Sequence, residues 1–590
     1  MKALRLFIVL FLLSAVYGLR STAYAQNDII EANIDFAAAT TALPKIFKPS
    51  IDLSGRGISR SNTWPQGLAA EKVIATWGKD IGFKGIFRLQ YDLWEIHQKA
   101  FDKDSQDKLL ANYEKIIKDI SDAGGIVLLD IFGTPAGLGK VLDKNSPPWD
   151  LKAFKELIKR HIKFLSCEKK YNIWYEVWSA PDLEDFFLGR KQEYLNMYRA
   201  VAECVQELEA ETKTHISIGG PGSSCWFQNL EGNTIITPER SLIYEWIKFC
   251  YVYHLPIDFI SWHSYSTSPS RDQDATTYKK NPANLIRDWL TYFNFQGNTP
   301  LIIDEWNFDR ELNLIPERGK NSYIASSYIP SRLKNMFNLG IDYQVYFCLE
   351  DFDNEKEGLI RNMGAFWFDH EASEYKGGPK SIYSVFRMLG RLDENMLTVP
   401  IKNEDEFLGM IATKAQDELV LLVYNYIDPE IARNFLSKNI ASLNEGQRKI
   451  LLNFIKSSGL VKVLAKGANI SALNLRNRKV ENLLKKARQL SEQASKFKES
   501  PRIFNLNIKN LRGNYVYQKY SIDSSCGNDC GFTPEEKEIE ISDIYKEELS
   551  VKPYSVTLII FKNKPKPEPV VVEVQEKALV AQTENMILSK

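Results

Sequence analysis

The chain has no surplus of either charge: 75 lysines and arginines stand against 75 aspartates and glutamates in 590 residues. No global field therefore favours nucleic acid or an anionic membrane surface, and a neutral ligand suits this balance better than a polyanion. Long apolar runs are missing beyond the opening segment, so no later stretch reaches the roughly 18 uninterrupted apolar residues of a membrane span. Cysteine is scarce, at 167, 204, 225, 250, 348, 526 and 530, with no spacing that resembles a zinc site. Cys526 and Cys530 lie in a Ser/Gly-rich loop and are the pair able to close a small disulfide in an oxidising compartment; the other five read as small apolar groups of the fold.

The first 25 residues place Lys2 and Arg5 before the apolar run Leu6 to Leu19, and Ala23-Tyr24-Ala25 before Gln26. This is the pattern of a secretory signal cleaved after Ala25, and it predicts a secreted or periplasmic protein. Aromatic residues are plentiful, with 12 Trp, 27 Tyr and 31 Phe. Flat rings stack on the apolar faces of sugars, although most aromatics in any chain belong to its core.

From residue 51 to 395 short β-rich runs alternate with amphipathic helical patterns. The runs are Ile51 to Ser54, Phe83 to Leu89, Gly125 to Ile131, Ile173 to Trp178, His215 to Gly219, Asp258 to Trp262, Leu301 to Asp304 and Tyr343 to Leu349. Eight strands alternating with helices predict an α/β fold, a (β/α)8 TIM barrel, with a doubly wound open sheet as the alternative. Residues 396–562 carry short alternating strands and predict an accessory C-terminal β-sandwich, interrupted by a helical insertion at 430–498 whose apolar stripe marks a packed face. Residues 26–50 form an N-terminal segment placed with the sandwich, and Lys564-Pro-Lys-Pro-Glu-Pro opens a stiff linker and polar tail at 563–590.

In a barrel the end-of-strand polar residues are the ones to weigh. Glu305 closes the apolar run Leu301-Ile-Ile-Asp304, and side-chain alternation puts Ile303 and Glu305 on one face with Asp304 on the other. On the strand beginning at Ile173, Glu176, Trp178 and Ala180 share a face if the strand continues to position 180, so that a methyl group stands where a site-facing side chain belongs.

The segment Glu176-Val-Trp-Ser-Ala-Pro-Asp-Leu183 resembles the Glu-Val-Trp-Asn-Glu-Pro-Asp-Leu segment of glycoside hydrolase family 39, in clan A. Gly219-Gly-Pro-Gly222, Asp258-Phe-Ile-Ser-Trp-His-Ser-Tyr265, Asp304-Glu-Trp-Asn307 and Gly378-Pro-Lys-Ser-Ile-Tyr383 resemble further motifs of that family, in the same order. The resemblance implies a retaining glycosidase in which Glu305 attacks the anomeric carbon while a second carboxyl, about 5 to 5.5 Å away, protonates the leaving oxygen. It also implies that Ser179, Trp178, His263, Tyr265, Arg88 and Trp306 line a site for an oligo- or polysaccharide, with no metal or organic cofactor.

The departure from the family pattern is at Ser179-Ala180, where the family has Asn-Glu. Glu176 lies four residues deeper, roughly 13 Å along a strand at about 3.3 Å per residue, too far to take over the acid role. Asp182, Glu184 and Asp185, or Asp92, Glu95, Glu350 and Asp351 from other loops, are the remaining candidates. Three readings stay open: a hydrolase of β-linked glycans with an unorthodox acid, a carbohydrate-binding pseudoenzyme of exopolysaccharide handling, and a structural or assembly role carried by the helical insertion and the Pro/Lys tail with the barrel as a scaffold.

Overall fold

The computed structural model describes residues 29–564 apart from 56–62, 99–102, 228–229, 232–233, 273–280, 309–321, 355–358, 362–363, 369–375, 457–458, 465–468, 471–474, 476 and 527–530. The signal pattern, the 563–590 tail beyond Lys564 and Cys530 thus lie outside the described residues. Cys526 is disulfide-bonded, while Cys167, Cys204, Cys250 and Cys348 are free thiols.

Eight parallel strands close into a barrel: β1 (Ile51–Asp52), β2 (Ile86–Asp92), β3 (Ile126–Phe132), β4 (Ile173–Val177), β5 (Ser217–Ser223), β6 (Phe259–His263), β7 (Leu301–Trp306) and β8 (Tyr343–Tyr346). β8 pairs with β1 through Tyr346 and Ile51, which completes the ring. The expected TIM barrel is therefore present, and the open doubly wound sheet is not.

Alternation along the strands fills the interior in layers. Ile86, Leu128, Phe259, Ile302 and Val345 form an apolar floor, with Trp174 stacked on Phe259 at 5.5 Å between ring centroids. Two residues further along the same strands the inward positions become Arg88, Asp130, Glu176, Ser261 and Asp304, all buried. An apolar layer thus gives way to a polar one in a single pleat.

Two sheets flank the barrel. One has the order Ile401–Lys402, Ile29–Asp35, Arg502–Lys509, Ile544–Val551, and the other is seven-stranded and includes Leu408–Lys414, Glu418–Asn425 and Ser555–Asn563. Ile30, Ile34, Phe504, Leu506, Leu421, Val423, Ile559 and Phe561 bury one another between them. The helices Ile431–Asn439, Glu445–Lys456, Gly459–Leu464 and Arg478–Glu499 form a small body with its own apolar cluster, including Leu436, Leu451, Val480 and Leu484.

That body also touches the barrel at the segment after β6. Asn434 donates to Thr267 Oγ1 at 2.9 Å and Lys438 to the Ser270 carbonyl at 2.7 Å, while Tyr426, just after the sheet strand Glu418–Asn425, donates to the Thr267 carbonyl at 2.5 Å. From the other side Arg332, in helix Ser322–Leu339, donates to the Pro269 carbonyl at 2.8 Å and to Ser264 Oγ at 2.9 Å, and pairs with Asp272. No helix among the described residues is long and apolar enough to cross a membrane.

Candidate active site

At the C-terminal mouth of the barrel Glu305 stands over a buried cation. Arg88 Nη1 lies 3.3 Å from Glu305 Oε2 and 3.3 Å from Asp52 Oδ2, Nη2 is 3.1 Å from Asp130 Oδ2, and Nε is 2.9 Å from Glu176 Oε2. The guanidinium fork thereby joins carboxyl groups of β1, β3, β4 and β7. Tyr265 donates its hydroxyl to Glu305 Oε1, and His263 Nε2 approaches Glu305 Oε2 and Asp304 Oδ2 at 3.5 Å each. The Glu305 side chain keeps 14% of its surface open, whereas Asp304 beside it has none.

The parity expected for β7 is corrected here. Asp304 continues the inward phase of Ile302, and Glu305 reaches the same side because the strand is irregular: His263 pairs with Glu305 after Trp262 pairs with Ile303, and the next register to β8 skips from Ile303 to Trp306. A bulge re-aims a side chain in this way, and bulges gather beside functional sites.

Burial sets the electrostatics. It raises Asp52 above the usual carboxylate range despite Arg88, lifts Asp130 to about 7, and, helped by the facing Asp304, pushes Glu176 well above its ordinary value. For Asp304 burial is outweighed by His263 and Arg88, which hold it below the usual value. His263 is raised because Glu305 and Asp304 overcome the burial that would lower it. Burial and Glu305 together push the Tyr265 phenol well up, which keeps it a donor.

Arg88, His263, Tyr265 and Glu305 are therefore brought together. Two other expected substrate contacts are not, since Trp178 and Trp306 are 1% and 0% exposed. Trp178 packs against Phe132 and Phe187 and donates its indole N–H to the Phe186 carbonyl at 2.9 Å. Trp306 packs on Tyr346 and Tyr328 and donates to Gln344 Oε1 at 2.8 Å. Both rings are spent on the core and offer no face to a sugar.

The assumed continuation of β4 to position 180 also fails. The strand ends at Val177, and Trp178 and Ala180 both take left-handed backbone, at φ of 73° and 45°. Ala180 is 1% exposed and gives its N–H to the Gly222 carbonyl at 2.8 Å; Ser179 is buried as well.

The other carboxylates weighed as replacements are engaged or remote from the buried cluster. Asp182 accepts from Ser224 N at 2.8 Å and Ser224 Oγ at 2.6 Å, while Glu184 and Asp185 face solvent on the same loop. Both oxygens of Glu95 accept from Gln66 N at 3.0 and 3.1 Å, and burial pushes this acid to about 7. Asp92 caps the backbone of Glu95, Glu350 accepts from Ala70 N, and Asp351 accepts from Lys380 at 2.7 Å.

Asp52, Asp130 and Ser261 were not singled out from sequence. The signal available for Asp130 and Ser261 was a polar residue two positions after an inward apolar one, as in Leu128-Leu-Asp130 and Phe259-Ile-Ser261. Among the described residues no cluster of three or more His, Cys, Asp or Glu side chains is arranged to hold a metal ion.

Comparison with known proteins agrees with this architecture. The chain is 23% identical over 298 residues to a β-xylosidase of Caldicellulosiruptor saccharolyticus, covering 48% of this chain and 55% of that protein. It is 28% identical over 273 residues to a β-xylosidase of Geobacillus stearothermophilus, covering 43% and 48%. The chain thus spans about half the length of the curated relatives it matches. Among solved structures, a monomeric β-xylosidase from Caulobacter crescentus CB15 superposes with a TM-score of 0.60 at 15% identity, covering 90% of this chain and 99% of the other. The GH39 enzyme from Xanthomonas axonopodis pv. citri gives 0.59 at 14%, covering 90% and 97%. The family model for glycosyl hydrolases family 39 matches residues 142–455, more than half of the chain, and the protein belongs to that family.

Proposed function

We propose that the protein is an exported glycosidase of β-linked glycans that works by a retaining mechanism with Glu305 as nucleophile and without a carboxylic acid at position 180. The observation that carries this reading is the setting of Glu305: partly open, with Tyr265 on one oxygen and Arg88 and His263 on the other. Such contacts hold the carboxylate in one orientation and stabilise its charge until it attacks. The β-xylosidases among its relatives make a β-xyloside the first substrate to try.

A methyl group at 180 transfers no proton. Loss of general acid catalysis removes about 10²- to 10⁴-fold in rate, chiefly for leaving groups that need protonation. Dinitrophenyl glycosides leave without one, and azide replaces the water that an acid/base residue would activate. The test is turnover of a dinitrophenyl β-glycoside panel with and without azide, beside Glu305→Gln. Release that depends on Glu305, with glycosyl azide as product, supports the reading. Absence of Glu305-dependent release from every sugar overturns it.

A second reading, a glycan-binding pseudoenzyme, is favoured by the burial of Ala180 and the engagement of nearby Asp182. It predicts saturable glycan binding that is unchanged in Glu305→Gln.

A further inference from the structure

Beneath Glu305 the barrel encloses more carboxyl groups than its cations neutralise. Asp52, Asp130, Glu176, Asp304 and Glu305 share one guanidinium, Arg88, and one imidazole, His263. A buried unpaired carboxylate costs several kcal/mol, so protons must reside in the cluster.

Neither oxygen of Asp304 receives a well-formed hydrogen bond from any N–H or O–H among the described residues, and both are buried. Arg88 Nε is 4.0 Å away and His263 Nε2 is 3.5 Å away. Two side chains face Asp304: His263, whose Nε2 stands at 3.5 Å, and the carboxyl of Glu176. Two carboxylates cannot bond to each other unless one carries a proton.

Glu176 is the group built to carry it. It is fully buried, accepts from Ser261 Oγ on Oε1 at 2.6 Å and from Arg88 Nε on Oε2 at 2.9 Å. A protonated carboxyl keeps lone pairs on both oxygens, so these two bonds survive protonation.

We propose that Glu176 retains a proton through neutral pH and donates it to Asp304, making a carboxylic acid and carboxylate pair that positions Arg88 and His263 beneath Glu305. Every element packed on the pair fits. β1 contributes Asp52, β2 Arg88, β3 Asp130, β6 Ser261 and His263, and β7 Glu305, so Arg88 and His263 supply the cationic groups. From the helix Lys191–Thr212, Tyr194 is a neutral phenol that donates to Pro221 O. On β5 stands Gly222, at φ 57°, where a Cβ would lie 3.2 Å from Glu176 Cδ and 2.9 Å from the Trp178 carbonyl. The directions of the shifts, Glu176 up and Asp304 down, agree with a shared proton. A neutral Glu176 leaves the positive charge of Arg88 to Glu305; an ionised one would compete for it. Glu176 is thus a positioning residue, acting through Arg88.

The test reads the proton and not turnover, so it stands apart from the proposed function. The full-length protein is labelled with ¹³C-carboxyl glutamate, and its infrared spectrum is recorded at about pH 9, where Glu95 is ionised. The expected result is a label-shifted C=O stretch of a protonated glutamate that persists in Glu305→Gln, vanishes in Glu176→Gln, and moves to higher frequency in Asp304→Asn, where a neutral amide replaces the carboxylate acceptor. No such band in the wild-type protein, or one that survives Glu176→Gln, overturns the assignment of the proton; a band unmoved in Asp304→Asn overturns the pair. If Glu176→Gln does not fold, Ser261→Ala serves, since loss of its 2.6 Å bond to Oε1 must shift the same band, and an unshifted band then overturns the assignment.

Discussion

Ala180 occupies a left-handed backbone position between two tight bonds, its N–H to Gly222 O and its carbonyl accepting from Leu183 N at 3.0 Å. The loop is therefore held by backbone bonds that do not depend on the side chain at 180. Ala180→Glu is predicted to raise turnover of glycosides with poor leaving groups by about 10²-fold or more, with little change for dinitrophenyl glycosides, because only the former need a proton donor. Paired rate measurements on the two substrate types check this. Equal effects on both would mean that the new carboxyl does not act as an acid.

At this scale the sequence was partly readable. Glu305, His263 and Tyr265 stand at strand ends or in motifs whose local pattern marks them, whereas Arg88 lies inside the strand Ile86–Asp92. Trp178 and Trp306 read the same way, yet their indole N–H groups find partners inside the protein, and no local pattern separates a stacking ring from a packing one.

Among elements, the segment after β6 carries Tyr265 and is held from two sides, by Arg332 and by the insertion through Asn434 and Lys438. Arg332 is fully buried and ion-paired with Asp272. Arg332→Ala leaves that carboxylate buried without its cation, and a loss of about 3 to 5 kcal/mol is expected from denaturant titration. Turnover should fall as well, since Ser264 and Pro269 lose their donor next to Tyr265.

Another element contact is sensitive to acid. His97 Nε2 and His161 Nε2 lie 2.9 Å apart, joining the segment after β2 to helix Leu151–Ile162, and Tyr91 bonds to His161 Nδ1 at 2.9 Å. Burial lowers His97 to about 4 and His161 to about 3, from an ordinary value of 6.5. Their folded values lie below the unfolded one, so the unfolded chain binds protons first and stability falls as pH drops from about 6.5 toward 4. His161→Phe should flatten that part of the profile, read as the difference in melting temperature between wild type and variant across this range. Buried carboxyls such as Asp130 act in the opposite direction, and the difference cancels them.

The eight-strand count came from alternation of apolar runs with helical periods, a signal that the parallel barrel produces because each strand is buried on both faces. Strand phase was harder to read. β7 carries an irregularity and β4 stops two residues short of Ser179, and both depend on contacts with neighbouring strands that a single sequence does not display.

On the scale of the whole molecule, Ile29–Asp35 lies inside a sheet, pairing in parallel with Arg502–Lys509 and antiparallel with Ile401–Lys402. Ile30, Ala32 and Ile34 are 0%, 0% and 1% exposed there. A chain beginning at residue 37 loses two buried isoleucines at about 1.5 to 3 kcal/mol each. Hydrogen exchange should then accelerate in Arg502–Lys509 and Ile544–Val551 and spare the barrel strands; uniform acceleration would show that the two bodies unfold as one.

The same strand has a consequence for synthesis. Its residue Asn33 lies opposite Asn507, 474 positions later, so the first β-strand among the described residues waits for one made late in the chain. At roughly 5 to 20 residues per second translation alone imposes a delay of about half a minute to a minute and a half. Until Ile401–Lys402 and then Arg502–Lys509 are made, the alternating apolar row of Ile30, Ala32 and Ile34 lacks its partner strands, and an unpaired strand is a template for pairing with another chain. The strand is thus separated from its main partner by most of the chain, whatever the barrel does once it has closed.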